Sequence, residues 1–175
     1  MNSIDDLLAI ARQARAIGDF TEAHDALSQA LAQLRAAGMP PPAITVLTTL
    51  GQVARGMRDH ELARRSYAEA LALARDAGEP LQLAHVVRHF GDVLSEQHDW
   101  VAAEPCYDEA LALYRANPTG PRLDLANALR AAAVLKGHMD QPMAARALWA
   151  QALPLYQQAG VEAGVTECQR HLSDY

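Results

Sequence analysis

The sequence predicts an all-α fold, a solenoid of four antiparallel helix pairs closed by a C-terminal capping helix. Three observations carry that prediction. A ten-residue block recurs as ALSQALAQLR from Ala26, SYAEALALAR from Ser66, CYDEALALYR from Cys106 and LWAQALPLYQ from Leu148, at steps of 40, 40 and 42 residues. Self-similarity at a fixed period of this size is the signature of a repeat array. Inside the blocks the apolar residues keep helical spacing: Ala63, Tyr67, Ala70, Leu71 and Ala74 fall at i, i+4, i+7, i+8 and i+11. Composition agrees, since half of the residues are hydrophobic but only 5% are aromatic, and alanine is abundant. That balance suits closely packed helices better than sheets.

Each element follows in order. The recurring block is the second helix of a pair, and the first helix shows the same periodicity in AITVLTTLGQVARGM and LQLAHVVRHFGDVLSEQ. An aspartate precedes each block, Asp19, Asp59, Asp99 and Asp140, placed to accept from free backbone N–H groups at a helix start. Glu22, three residues after Asp19, predicts a capping box. RAAGMPPP and RDAGEP put glycine after one helix and proline at the start of the next, and RANPTGP is expected to serve the same end. Gly51 and Gly91 lie inside first helices, where glycine costs ~1 kcal/mol against alanine. Each precedes Ala63 or Ala103 by twelve residues, which predicts a close crossing of helix backbones. Pro105 implies a later helix start or a bend, and Pro154 a kink. In the tail, Val161, Val165, Cys168 and Leu172 mark one helical face. The whole chain, 1–175, thus reads as a single array with pairs over 3–38, 41–78, 80–117 and 122–159 and a cap over 161–173.

Bulk chemistry excludes several functions. A net charge of −6 argues against nucleic-acid binding. No long apolar run occurs, and MNSIDDLLAI carries carboxylates where a signal peptide has positive charge, so a cytoplasmic protein away from the membrane is expected. Arginine greatly outnumbers lysine, which with the alanine content points to a GC-rich bacterial genome. Cys106 and Cys168 show no metal or disulfide spacing. Phosphate loops, dinucleotide fingerprints and nucleophile elbows are missing, so neither an enzyme nor a cofactor is expected.

The repeat resembles the tetratricopeptide repeat in its small residue on the first helix followed by alanine, an aromatic and alanine on the second. Here these are Gly51, Ala63, Tyr67 and Ala70, then Gly91, Ala103, Tyr107 and Ala110, with Ala145, Trp149 and Ala152 in the fourth copy. Leu27 replaces the aromatic in the first copy, and Leu47 and Val87 stand where the family often has tryptophan. The 40-residue step is similar to the long-repeat branch seen in kinesin light chains. The resemblance implies a right-handed superhelical solenoid, a non-catalytic scaffold whose first helices line a concave peptide-binding groove.

On that implication the groove residues are Arg12, Arg15, Thr48, Gln52, Arg55, His85, Arg88, Asp92, Asn127, Arg130 and Lys136. Their positive balance in an acidic chain suggests a protein or peptide partner carrying carboxylates, which guanidinium groups bind bidentately. Arg12, Gln52 and Arg88 fall near the family's carboxylate clamp, from which Gln52 and Asp92 depart. One alternative is a self-associating module, or a regulatory segment of a larger protein, with Trp100, Tyr107, Tyr114 and Trp149 as contact candidates; a monomer or homodimer is expected. Another is a metal-dependent enzyme built on His85, His89 and Asp92, since histidines four apart can share zinc. The preferred reading of that stripe is a polar, pH-sensitive face without metal.

Overall fold

The computed structural model describes residues 2–173. Nine α-helices and no strand occur among them: α1 (Ile4–Ile17), α2 (Phe20–Ala36), α3 (Pro40–Gly56), α4 (His60–Ala77), α5 (Pro80–Glu96), α6 (Trp100–Ala116), α7 (Arg122–His138), α8 (Pro142–Ala159) and α9 (Glu162–Ser173). None is long and apolar enough to cross a membrane. The described residues fall into two compact units that divide between Glu79 and Pro80. In the first unit α1 packs on α2, α2 on α3, and α3 on α4. In the second, α5 to α9 pack successively in the same way, and α5 also touches α7.

Two backbone hydrogen bonds close the turn inside each pair. After α1, Gly18 N–H donates to Arg15 O at 3.2 Å and Asp19 N–H to Ala14 O at 2.9 Å, the pairing of a Schellman motif. The same two bonds recur at Arg58 and Asp59, at His98 and Asp99, and at Asp140 and Gln141. In every case the first residue of the two is left-handed, with φ of 79° at Gly18, 59° at Arg58, 61° at His98 and 56° at Asp140. The second residue then caps the next helix. Asp19, Asp59 and Asp99 accept from the N–H of Glu22, Leu62 and Ala102 respectively.

This geometry corrects two expectations. Asp140 does not cap α8; it occupies the left-handed position, which aspartate tolerates, and Gln141 stands at the cap without a side-chain bond. The longer fourth step shifts the register by one. The capping box expected at Asp19 and Glu22 is half formed, because the Asp19 N–H is already committed to Ala14 O. A complete box is present instead at the start of α1, where Ser3 and Asp6 bond reciprocally and hold the Asp6 carboxyl below its usual range.

Between pairs, Gly38 and Gly78 are left-handed as their positions demand, with φ of 63° and 71°. The turn after α6 ends differently: the Asn117 side-chain amide donates to Leu113 O at 2.8 Å, doing with a side chain what glycine does elsewhere. α6 begins at Trp100, ahead of Pro105, and α8 continues through Pro154.

Gly51 and Gly91 prove to make room for rings rather than for Ala63 and Ala103. A Cβ on Gly51 would lie 2.4 Å from Tyr67 Cε2, and one on Gly91 would lie 3.0 Å from Tyr107 Cε1. Each tyrosine is thereby sunk into its pair, Tyr67 at 0% exposure and Tyr107 at 3%. The first pair has no large ring to admit and carries Ala11 with Leu27, both buried. α9 completes the second unit, with Gly164 against the Tyr156 ring and Val165 and Cys168 buried. Its residues Thr166, Gln169 and Arg170 are exposed and polar.

Candidate binding site

In the first unit α1 and α3 bound a cleft of ≈ 330 Å³. Ala11, Leu27 and Val46 give it an apolar floor, and Arg12, Arg15 and Thr45 stand on its walls. Arg12 is exposed and makes no ion pair among the described residues. Arg15, also exposed, donates from Nη2 to Gln52 Oε1 at 2.9 Å, so a neutral amide orients this guanidinium and leaves its charge uncompensated. Arg55 is half-buried on the same helix as Gln52. Thr48 faces inward: it is 5% exposed, and its hydroxyl donates to Ile44 O at 2.8 Å.

In the second unit the basic residues expected in the groove, Arg88, Arg130 and Lys136, are treated differently. Arg88 is only 8% exposed and donates from Nη1 to Asp92 Oδ2 at 3.1 Å and from Nη2 to His89 Nε2 at 2.6 Å. An accepting Nε2 places the His89 proton on Nδ1, which donates to Asp92 Oδ2 at 3.1 Å. Tyr107 O–H donates to Asp92 Oδ1 at 3.0 Å, so one carboxylate gathers an arginine, a histidine and a tyrosine. Arg130 forks onto Glu167 of α9, with Nε to Oε2 at 2.5 Å and Nη2 to Oε1 at 3.0 Å. Lys136 pairs with Glu104 of α6. Asn127 accepts from Tyr156 O–H at 2.9 Å. Arg88, Arg130 and Lys136 thus each meet a carboxylate of their own unit.

Burial sets the titration of this cluster. His85, whose ring meets His89 edge-on at 4.6 Å, is held down to about 4, first by burial and then by the neighbouring His89 and Arg88. Burial foremost, with the Asp92 charge second, raises Tyr107. Tyr114 and Tyr156 are each pushed up to about 12, again chiefly by burial. The hydrogen bonds that Arg130 donates to Glu167 raise it, fixing its charge. Among the described residues no three His, Cys, Asp or Glu are grouped to hold a metal ion. His89 and Asp92 are spent on each other and on Arg88.

The aromatic residues expected as self-association contacts are core residues. Tyr107 and Tyr114 are 3% exposed and Trp149 1%, while Trp100 is half-buried and stacked on His138 at 5.5 Å. They fill the space that the facing helices leave. Ile17, Val101 and Met143 are the strongly exposed apolar residues. His138 and His171 follow no motif in the sequence, yet each stacks flat on a tryptophan, His171 on Trp149 at 4.4 Å.

The tetratricopeptide repeat family model matches residues 81–158. Residues 81–158 are tetratricopeptide repeats. Among curated proteins no sequence matches significantly. Among solved structures, aspartyl phosphate phosphatase F from Bacillus subtilis superposes with a TM-score of 0.86 at 13% identity, over 99% of this chain and 46% of that one. A Rap protein complexed with Competence and Sporulation Factor gives 0.83 at 15% identity, over 96% and 47%. A putative kinesin light chain of Podosopora anserina with nearly identical repeats of this type gives 0.80 at 12%, over 98% and 84%. The chain therefore spans about half the length of the first two proteins and most of the kinesin light chain. These likenesses place it in the helical-repeat fold. Tetratricopeptide repeats serve as scaffolds for protein interaction.

Proposed function

We propose that the chain is a non-catalytic interaction module that takes a carboxylate-bearing protein segment in the α1–α3 cleft of its first unit. In this reading the four pairs and α9 belong to one array, which works in the cytoplasm as a monomer or homodimer. One observation carries the choice of cleft: Arg12 and Arg15 stand over an apolar floor with no carboxylate of their own, whereas Arg88, Arg130 and Lys136 are each met by one. An unneutralised guanidinium gains most from an incoming carboxylate, with which it makes two parallel, charge-assisted hydrogen bonds. The floor adds a place for the apolar side chain beside that carboxylate. A Rap protein of the same fold, in complex with Competence and Sporulation Factor, supports the use of such repeats as a binding platform.

The test is a fluorescence-anisotropy titration with a labelled peptide alternating leucine and glutamate, beside its leucine–glutamine counterpart. The glutamate peptide should bind saturably and weaken as salt is raised. R12E/R15E should lower its affinity at least tenfold while R130Q leaves it unchanged. Equal binding of both peptides, or full binding by R12E/R15E, refutes the assignment.

A further inference from the structure

The turn joining α6 to α7 spans residues 117–121, whereas that joining α2 to α3 spans only 37–39. The extra chain leaves a cleft of ≈ 260 Å³ at this corner of the second unit, lined in part by Tyr114, Arg115, Asn117, Arg122, Leu125 and Leu155. α8 presents Gln151, Leu155 and Gln158 at i, i+4 and i+7, on one face. Arg115 Nη2 donates to Gln151 Oε1 at 3.0 Å and Arg122 Nη1 to Gln158 Oε1 at 3.1 Å. Two guanidinium groups are therefore held at opposite ends of an apolar floor. Both partners are neutral amides, so both charges are left uncompensated and most of the donors are free.

α7 starts at Pro121 with no side-chain cap, and Asp124 in its first turn is the opposing charge at this corner. Tyr114 contributes its buried ring to the cleft wall, with its hydroxyl directed at the Arg88 side chain.

We infer that this corner is a second binding site, for a compact oxyanion (a carboxylate or phosphate) carried on a small apolar body. Arg115 and Arg122 offer the oxyanion a guanidinium at either end of the floor, and Leu125 and Leu155 between them receive the body. The site shares no residue with the α1–α3 cleft, so either can fail without the other.

The experiment is a titration of the intact 15N-labelled chain followed by amide NMR. Its probes are phenyl phosphate, phenylacetate, inorganic phosphate, benzyl alcohol and a short peptide ending in a free phenylalanine carboxylate. Phenyl phosphate and phenylacetate should give saturable shifts at Asn117, Gly120 and Leu125, and inorganic phosphate weaker shifts at the same amides. R115Q/R122Q should weaken binding at least tenfold while keeping the wild-type melting curve, and R12E/R15E should bind like the wild type. Tighter binding of the peptide than of phenylacetate assigns the oxyanion to a protein terminus, and the reverse assigns it to a free small molecule. Equal shifts with benzyl alcohol, retention of affinity by R115Q/R122Q, or no saturable shift with any anion overturns the inference.

Discussion

Gly51→Ala measures how tightly a first helix closes on the ring of its partner. In an exposed helix the change would stabilise by about 1 kcal/mol. Here the added methyl meets Tyr67 Cε2 at 2.4 Å and Cζ at 2.6 Å, and Tyr67 is fully buried with nowhere to swing. Overpacking of this kind costs about 1–3 kcal/mol. A contact as short as 2.4 Å puts the clash at the upper end of that range, so it outweighs the propensity gain and leaves a net loss of about 1–2 kcal/mol. The first pair shows the compensating solution, since it carries alanine and leucine, Ala11 and Leu27, at the corresponding places. G51A should therefore be milder beside Y67L than alone, with a coupling of about 1 kcal/mol or more between the two sites. Urea unfolding of the wild type, both single variants and the double variant, followed by far-UV circular dichroism, gives that coupling from four midpoints. A stabilised G51A, or strictly additive changes, would refute the packing argument.

The remaining predictions concern the turns and the buried histidine. Arg58 and His98 hold left-handed backbone with φ of 59° and 61°, where glycine stands in the first turn. R58G and H98G should each stabilise by about 1 kcal/mol and raise the melting temperature by about 2–4 °C, because a side chain at that φ is strained. Unchanged or lowered melting temperatures would contradict the strain. His85 is held at about 4 against an ordinary 6.5, so the unfolded chain takes up a proton that the folded chain refuses. Its stabilising contribution is whole above pH ~6.5 and is lost as the pH falls toward ~4. H85Q should flatten the fall of the urea midpoint across that window, and an equally steep fall would show that His85 does not drive it.

The fold was largely legible because its causes are local and repeated. Three aspartates, two glycines and a recurring alanine–aromatic pattern repeat at a constant step, and each has a backbone or packing reason to do so. Where the step lengthens, residue type misleads: Asp140 looks like a fourth cap, although a 42-residue step brings Gln141 into that place. The binding surface was less legible. Spacing puts Arg12, Arg15, Arg88, Arg130 and Lys136 on first helices, but whether a charge is free depends on its neighbour across the packing. A signal for some of these neighbours exists, since Arg15 meets Gln52 and Arg130 meets Glu167 at the same separation of 37 residues. That is one helical turn short of the repeat, where adjacent first helices touch. Lys136 with Glu104 follows no such rule and needed the structure.

The central claim is that the positive charge facing a protein partner resides at Arg12 and Arg15, whereas Arg88, Arg130 and Lys136 are each met by a carboxylate. Side-chain NMR of the arginine Nε–H groups, recorded during titration with the leucine–glutamate peptide, reads this directly. The account predicts saturable shifts for Arg12 and Arg15, with Arg88 and Arg130 unmoved. Shifts at Arg88 and Arg130 with Arg12 and Arg15 silent would contradict it.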